Sequence, residues 1–262
     1  MSKDFSVPAE FWEQLQLSEK SALLLDYDGT LAPFQIERDQ AYPYIGVLPL
    51  LEDILRSKRT RMVVITGRPV PEAQALLSPL AGFEIWGAHG LDYLQLDGTI
   101  KKYTIAPELI LLLEKAEQQL RTKELSDLLE AKPGGVAVHW RGLSEQEREK
   151  VRLETLTEWT ALSETPGIKL LQFDGGLELR IAHPDKGDAI RAILEDLPND
   201  VPTAFLGDDI TDEDGFRALE DRGLPILVRD AYRSTNATAW IKPPEELLAF
   251  LTRWRDIVTH QK

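Results

Sequence analysis

Cysteine is absent from this 262-residue chain. That excludes disulfides and thiolate metal sites, fits a reducing compartment, and leaves carboxylates and histidines as candidate metal ligands. Histidine is itself scarce, at four residues, so a bound cation is expected to be a hard one held by oxygen. Basic residues are in deficit: 30 Lys and Arg stand against 44 Asp and Glu, a formal charge of −14. Such a charge repels nucleic-acid backbones and anionic membrane surfaces, so an anionic substrate needs a local positive site. Long apolar runs are lacking too, and the longest, such as 109–113, are far too short to span a bilayer. Residues 1–19 mix Lys3, Asp4, Glu10 and Glu13 with Phe11, Trp12 and Leu15, the pattern of a short amphipathic helix and not of a signal peptide. Repeats, low-complexity tracts and long Gly/Ser linkers are missing. A soluble, cytoplasmic monomer that binds neither nucleic acid nor membrane is expected.

What is present is a βα rhythm with one interruption. Apolar runs at 22–25, 62–65 and 83–86 end in small or acidic residues and lead into helical patterns, one at 47–55 and one opened by Pro71, as in βα units around a parallel sheet. After His89 the texture changes. Runs at 91–96 and 99–105 flank Asp97-Gly98, a strong hairpin signal that predicts antiparallel pairing. A helix over 107–129, a strand over 135–141, a helix over 144–162 and two runs around Asp174-Gly175-Gly176 follow. From Asp185 the βα rhythm returns, with strands at 203–206 and 224–228 and helices from about 185, 211 and 243. The predicted fold is α/β, a doubly wound parallel-sheet, Rossmann-like core (1–102 and 183–262) with an inserted smaller α+β cap (103–182).

Four stretches carry chemistry. In Leu25-Asp26-Tyr27-Asp28-Gly29-Thr30 an apolar strand ends in two carboxylates spaced two apart, so both can face one site at the strand's C-terminal edge. An ionised Asp26 can attack phosphorus while Asp28 protonates the leaving oxygen and later deprotonates water. The bare tetrapeptide reads more readily as an acidic turn; its context reverses that and favours the chemistry. In Ile65-Thr66-Gly67-Arg68, Thr66 and the following amides are candidates to hold a phosphoryl oxygen at a helix N-terminus, against a plain helix cap. Lys186 opens a helix, where its charge opposes the dipole; neutralising charge between nucleophile and phosphate would explain it. In Gly207-Asp208-Asp209-Ile210-Thr211-Asp212-Glu213-Asp214, Asp208 joins Asp26 and the backbone carbonyl of Asp28 as the expected Mg2+ ligands. Asp212 is a weaker metal candidate, Thr211 with Asp214 resembles a capping box, and Asp209 is expected to orient the lysine or a metal-bound water.

These stretches, in this order, resemble the haloacid dehalogenase superfamily, whose phosphatases share a doubly wound core and a nucleophilic aspartate. The resemblance implies a phosphatase or phosphomutase from Asp28, where transport ATPases carry threonine. Three times as many residues separate Thr66 from Lys186 as separate Asp26 from Thr66, which places the cap after the second motif, as in the sugar-phosphate phosphatase branch and unlike the phosphomutases. Adding Leu31-Ala32-Pro33, Gly87-Ala88-His89-Gly90, His139-Trp140-Arg141 and Glu178-Leu179-Arg180, almost the whole chain is similar to the trehalose-6-phosphate phosphatase family. One departure is Ile181, where the family commonly has proline.

The resemblance implies hydrolysis of trehalose 6-phosphate through a phospho-aspartyl intermediate on Asp26, with cap closure excluding water. Substrate contacts are expected from Gly67, Arg68, His89, His139, Arg141 and Glu178. Strand alternation sets Ala137, His139 and Arg141 on one face, and Glu178 with Arg180 on one face, a polar surface suited to sugar hydroxyls. His89, beside two glycines, reads equally as a hinge residue. The alternatives are a phosphatase of another glycosyl phosphate, of glucosylglycerol phosphate or mannosyl-3-phosphoglycerate type, or a catalytically silent sugar-phosphate-binding protein.

Overall fold

The computed structural model describes residues 6–35, 37–123, 125–173 and 175–260, with Glu220 by its backbone alone. Lys3, Asp4 and Asp174, which entered the predicted first helix and a predicted turn, lie outside them. The chain begins with α1 (Ala9–Leu17), β1 (Ser21–Leu25), α2 (Val47–Arg56), β2 (Thr60–Ile65), α3 (Val70–Leu76), β3 (Glu84–Gly87), β4 (Asp92–Leu94) and β5 (Ile100–Lys102). Next come α4 (Pro107–Arg121), β6 (Leu129–Lys132), β7 (Gly135–His139), α5 (Glu145–Ser163), β8 (Ile168–Phe173) and β9 (Gly176–Ile181). Then follow α6 (Lys186–Glu195), β10 (Thr203–Gly207), α7 (Glu213–Leu219), β11 (Leu224–Val228), β12 (Ala239–Ile241) and α8 (Glu245–Thr259). Internal contacts gather them into two compact units, Met1–Lys102 with Lys186–Lys262, and Tyr103–Asp185.

The larger unit is built on one sheet in the order β12-β11-β10-β1-β2-β3-β4-β5. Pairing is parallel from β12 through β3 and antiparallel for β3-β4-β5. A parallel sheet is covered on both faces, so its inner strands read as near-continuous apolar runs, and every residue of β1 is buried. Leu23 and Leu25 pack with residues of α1, α2, α3 and α8. Leu24, Val63 and Ile65 pack with residues of α6 and α7. This is the doubly wound arrangement. α1 docks through Phe11 and Trp12, whose rings lie 5.9 Å from Trp254 and 5.1 Å from Phe250 of α8. Trp254 is fully buried, and its indole N–H donates to Thr60 Oγ1 at 3.0 Å. Truncating such a tryptophan to alanine costs about 3–5 kcal/mol. The hairpin β4–β5 turns at Asp97-Gly98, where Thr99 N–H donates to Asp97 Oδ1 at 2.8 Å, and it extends this sheet.

The smaller unit is an antiparallel sheet, β6-β7-β9-β8, backed on one face by α4 and α5. Val136, Val138, Leu177, Leu179 and Ile181 are buried, and Trp159 of α5 anchors α4 by donating its indole N–H to Ala116 O at 3.1 Å. The predicted helix over 107–129 is shorter than expected. It ends at Arg121, where Thr122 Oγ1 donates back to Gln119 O at 2.7 Å, and its expected tail holds instead a 3₁₀ turn, Ser126–Leu128, that leads into β6. The strand predicted to reach Arg141 ends at His139, and Trp140 N–H turns to Gly175 O. Ile181 N–H donates to Gly134 O at 2.9 Å, a bond that proline at this position would lack.

Candidate active site

β10, β1 and β2 lie side by side and parallel, and each runs straight into a candidate residue: Asp208 after β10, Asp26 after β1, Thr66 after β2. Ligands of open α/β sheets bind at this carboxyl edge. α6 adds Lys186 as its first residue. The close approach of the Asp208 carboxylate to the turn after β1 depends on Gly29, whose φ is +81° and where a Cβ would fall 2.2 Å from Asp208 Oδ2.

Asp26 is buried and held at both oxygens. Lys186 Nζ donates to Oδ1 at 2.7 Å and Thr30 Oγ1 to Oδ2 at 3.1 Å. Burial, then the Asp212 carboxylate, push the Asp26 pKa up to about 7 against the pull of Lys186. Burial opposes the charge of Lys186, but Asp212 and Asp26 more than offset it and raise its pKa above the ordinary lysine value. Burial first, and the Asp26 charge second, raise Asp208 well above the usual carboxylate range. A buried carboxylate pair of this kind, with one lysine to serve it, leaves an unbalanced negative charge.

That lysine is oriented by Asp212, not Asp209. Asp212 Oδ1 accepts from Lys186 Nζ at 2.6 Å, while its Oδ2 accepts from the backbone N–H groups of Asp208 and Asp209 at 3.0 Å each. Asp209 caps a short 3₁₀ turn, Ile210–Asp212, that leads into α7; its Oδ1 accepts from Ile210 N–H at 2.8 Å. The capping box predicted at Thr211 and Asp214 therefore sits two residues earlier, because Asp212 is drawn inward by the lysine. Oxygens of Asp26, Asp208 and Asp212 lie within 4.8 Å of one another. This is an all-oxygen, anionic donor set that fits a hard divalent cation. Asp212 already accepts three hydrogen bonds, two of them on Oδ2, against two on Asp26, which leaves Asp26 and Asp208 more acceptor capacity to hold it.

Thr66 is buried, and its Oγ1 accepts from Arg68 N–H at 3.1 Å. The amides expected to cradle a phosphoryl oxygen are thus partly committed, since the Val70 N–H at the start of α3 donates to Asp92 Oδ2 at 3.1 Å. Arg68, predicted to contact substrate, grips Asp28 with two parallel bonds, Nε–Oδ2 at 2.7 Å and Nη2–Oδ1 at 2.6 Å. Its Nη1 donates to Arg38 O at 2.7 Å. These bonds fix the Asp28 carboxylate in place. His89 lies against Gly67, where a Cβ would come within 2.6 Å of His89 Nε2. Ala88 and His89 both have positive φ, 46° and 58°, a strained conformation for residues other than glycine. Ala88 N–H and His89 N–H donate to the carbonyls of Arg68 and Thr66 at 2.8 and 2.9 Å, so this segment braces the loop that carries Thr66.

On the second unit, register places Glu130, Ala137, Glu178 and Leu171 in one row across the sheet. His139 Nε2 lies 2.7 Å from Glu130 Oε2, and Lys132 Nζ lies 3.5 Å from Glu130 and 3.8 Å from Glu178. Arg141 is exposed beyond the strand end. Sequence reasoning missed Glu130 and Lys132 because they lie just past the end of the expected helix, on a strand it did not predict. It also left Thr30 without a role, although its position four residues after Asp26 in a tight turn was the available signal.

A profile of the trehalose-phosphatase family matches residues 24–241. The chain belongs to this family. Trehalose-phosphate phosphatase of Mycobacterium ulcerans is 30% identical over 249 residues, 89% of this chain and 61% of that one. Probable trehalose-phosphate phosphatase D of Arabidopsis thaliana is 30% identical, over 88% and 66% respectively. The chain therefore spans under two thirds of the length of these family members. Among solved structures, the C-terminal domain of C. albicans trehalose-6-phosphate phosphatase superposes with a TM-score of 0.83 at 17% identity, covering 97% of this chain and 99% of that one. A haloacid dehalogenase-like hydrolase from B. subtilis superposes at 0.60 with 15% identity over 88% and 99%. The α/β core is that of the haloacid dehalogenase fold. No helix among the described residues is long and apolar enough to cross a membrane.

Proposed function

We propose that this chain hydrolyses trehalose 6-phosphate to trehalose and inorganic phosphate in the cytoplasm, acting as a monomer with Mg2+ and a covalent phosphate on Asp26. The observation that carries the reading is the grip of Lys186 and Thr30 on Asp26 at the sheet's carboxyl edge, beside Asp208. An Asp26 oxygen attacks phosphorus, the bond from phosphorus to the sugar oxygen breaks, and Asp28 gives that oxygen its proton. Water then attacks phosphorus, Asp28 takes the proton, the acyl-phosphate bond breaks, and phosphate leaves with Asp26 restored. Thr66 and Lys186 offer donors to the transferring group. Asp26, the Asp28 carbonyl and Asp208 would hold Mg2+, which when bound supplies positive charge against the phosphate oxygens. Glu130, Lys132, His139 and Glu178 offer donors and acceptors for sugar hydroxyls.

The test is phosphate release from trehalose 6-phosphate beside glucosylglycerol phosphate and mannosyl-3-phosphoglycerate, with Mg2+ and with chelator. Preference for trehalose 6-phosphate, abolished by chelation and by Asp26→Asn in a folded protein, is the expected result. Mg2+-dependent release from another glycosyl phosphate would overturn the substrate and keep the chemistry. Near wild-type turnover by Asp26→Asn would end the mechanism, and binding without release would favour a silent sensor.

A further inference from the structure

The acidic turn after β10 is gripped on both sides of its backbone. The N–H groups of Asp208 and Asp209 converge on one Asp212 oxygen, and both C=O groups accept from the Arg233 guanidinium, with Arg229 Nη1 a longer second donor to Asp208 O at 3.5 Å. Arg233 Nε donates to Asp208 O at 3.3 Å and Nη2 to Asp209 O at 2.7 Å. Arg233 is fixed in its turn, because Nη1 donates to Glu213 Oε1 and, at 3.0 Å, to Ser234 O. Glu213 also accepts from Thr235 Oγ1 at 2.7 Å and from the backbone and side-chain nitrogens of Asn236 at 2.8 Å each. The segment between β11 and β12 is thereby latched to the first turn of α7. Both latch side chains are largely buried, at 18% and 11% exposure. A planar fork with donors in fixed directions suits two successive carbonyls, which a lysine cannot reproduce.

The placement is odd on charge alone. A guanidinium this close to carboxylates suited to a cation repels that cation, and its bonds go to carbonyls rather than to the Asp208 carboxylate. We propose that Arg233, braced by Glu213, is a positioning residue for cation binding: it fixes the Asp208–Asp209 turn so that the Asp208 carboxylate stays beside Asp26. This rests on the reading of Asp208 as a Mg2+ ligand.

The two accounts of Arg233 differ in sign. If it contributes only its charge, removing it tightens Mg2+ binding; if it positions the turn, removing it weakens binding. The experiment is calorimetric titration of Mg2+ into the full chain, well below each variant's melting temperature, with Mg2+-dependent phosphate release measured alongside. Arg233→Met is expected to weaken Mg2+ binding about tenfold, in line with residues that orient metal ligands. Turnover at saturating Mg2+ should then return to within about threefold of wild type, and Arg233→Lys should fall between. Unchanged or tighter binding by Arg233→Met overturns the proposal. If that variant does not fold, Glu213→Gln, which keeps the shape and weakens only the brace, is expected to shift binding the same way by a smaller factor, and unaltered affinity overturns the proposal equally. A wild-type chain that takes up no Mg2+, indistinguishable from Asp208→Asn, overturns instead the underlying reading of Asp208.

Discussion

Asp26 and Asp28 are two residues apart yet live in different surroundings. Asp26 is buried beneath a lysine and a threonine, whereas Asp28 is part-exposed and pinned by Arg68. In the proposed mechanism one attacks and the other carries a proton, and that proton matters only when the departing oxygen is a poor leaving group. Asp28→Asn is therefore expected to lower turnover of trehalose 6-phosphate by roughly 10²–10⁴-fold. It should affect p-nitrophenyl phosphate far less, because that leaving group departs without help. Arg68→Met should show the same pattern in milder form, since it removes the fork and leaves the acid. Steady-state rates on the two substrates check both; equal losses would show that Asp28 does not act on the leaving oxygen.

At the scale of elements, α5 shows how local sequence sets a boundary. Ser144 Oγ accepts from Glu147 N–H at 3.3 Å, and Glu147 Oε2 accepts from Ser144 N–H at 2.9 Å. Ser144→Ala is expected to destabilise this helix start by about 1 kcal/mol, read as roughly fivefold faster hydrogen exchange in the first turn of α5. Much of the fold was legible because the Asp97-Gly98 turn and the unbroken apolar runs of β1 and β2 are written within a few residues, as is this capping box, whereas the box read at Thr211 and Asp214 lies two residues earlier. β6 and β12 were not, because Leu129–Lys132 and Ala239–Ile241 are too short to show a period. The same limit applies to the site. Asp26, Asp28, Thr66, Lys186 and Asp208 follow strands or open a helix at recognisable spacing. The jobs of Asp212, Arg68 and Arg233 depend on partners 26, 40 and 25 positions away, and no local pattern encodes them.

For the molecule as a whole, a formal charge of −14 makes the buried Asp26 and Asp208 pair a place where bound cation should add stability. At a hundredfold excess over its dissociation constant, a ligand of the native state alone contributes about 2.7 kcal/mol. For a chain of this size that is a rise of roughly 5–10 °C in Tm. MgCl2 is expected to give it and NaCl of equal ionic strength is not; a shift common to both salts, or one retained by Asp208→Asn, would show screening rather than a site. Finally, β1 lies between β2, its near neighbour in the chain, and β10, made only after residue 203. As the protein emerges from the ribosome, one edge of its central strand has no partner until most of the chain exists. Asp26 at that strand's end is thus synthesised long before the strand that completes its enclosure, and the nascent chain carries an open apolar edge that must be shielded from other chains while it waits.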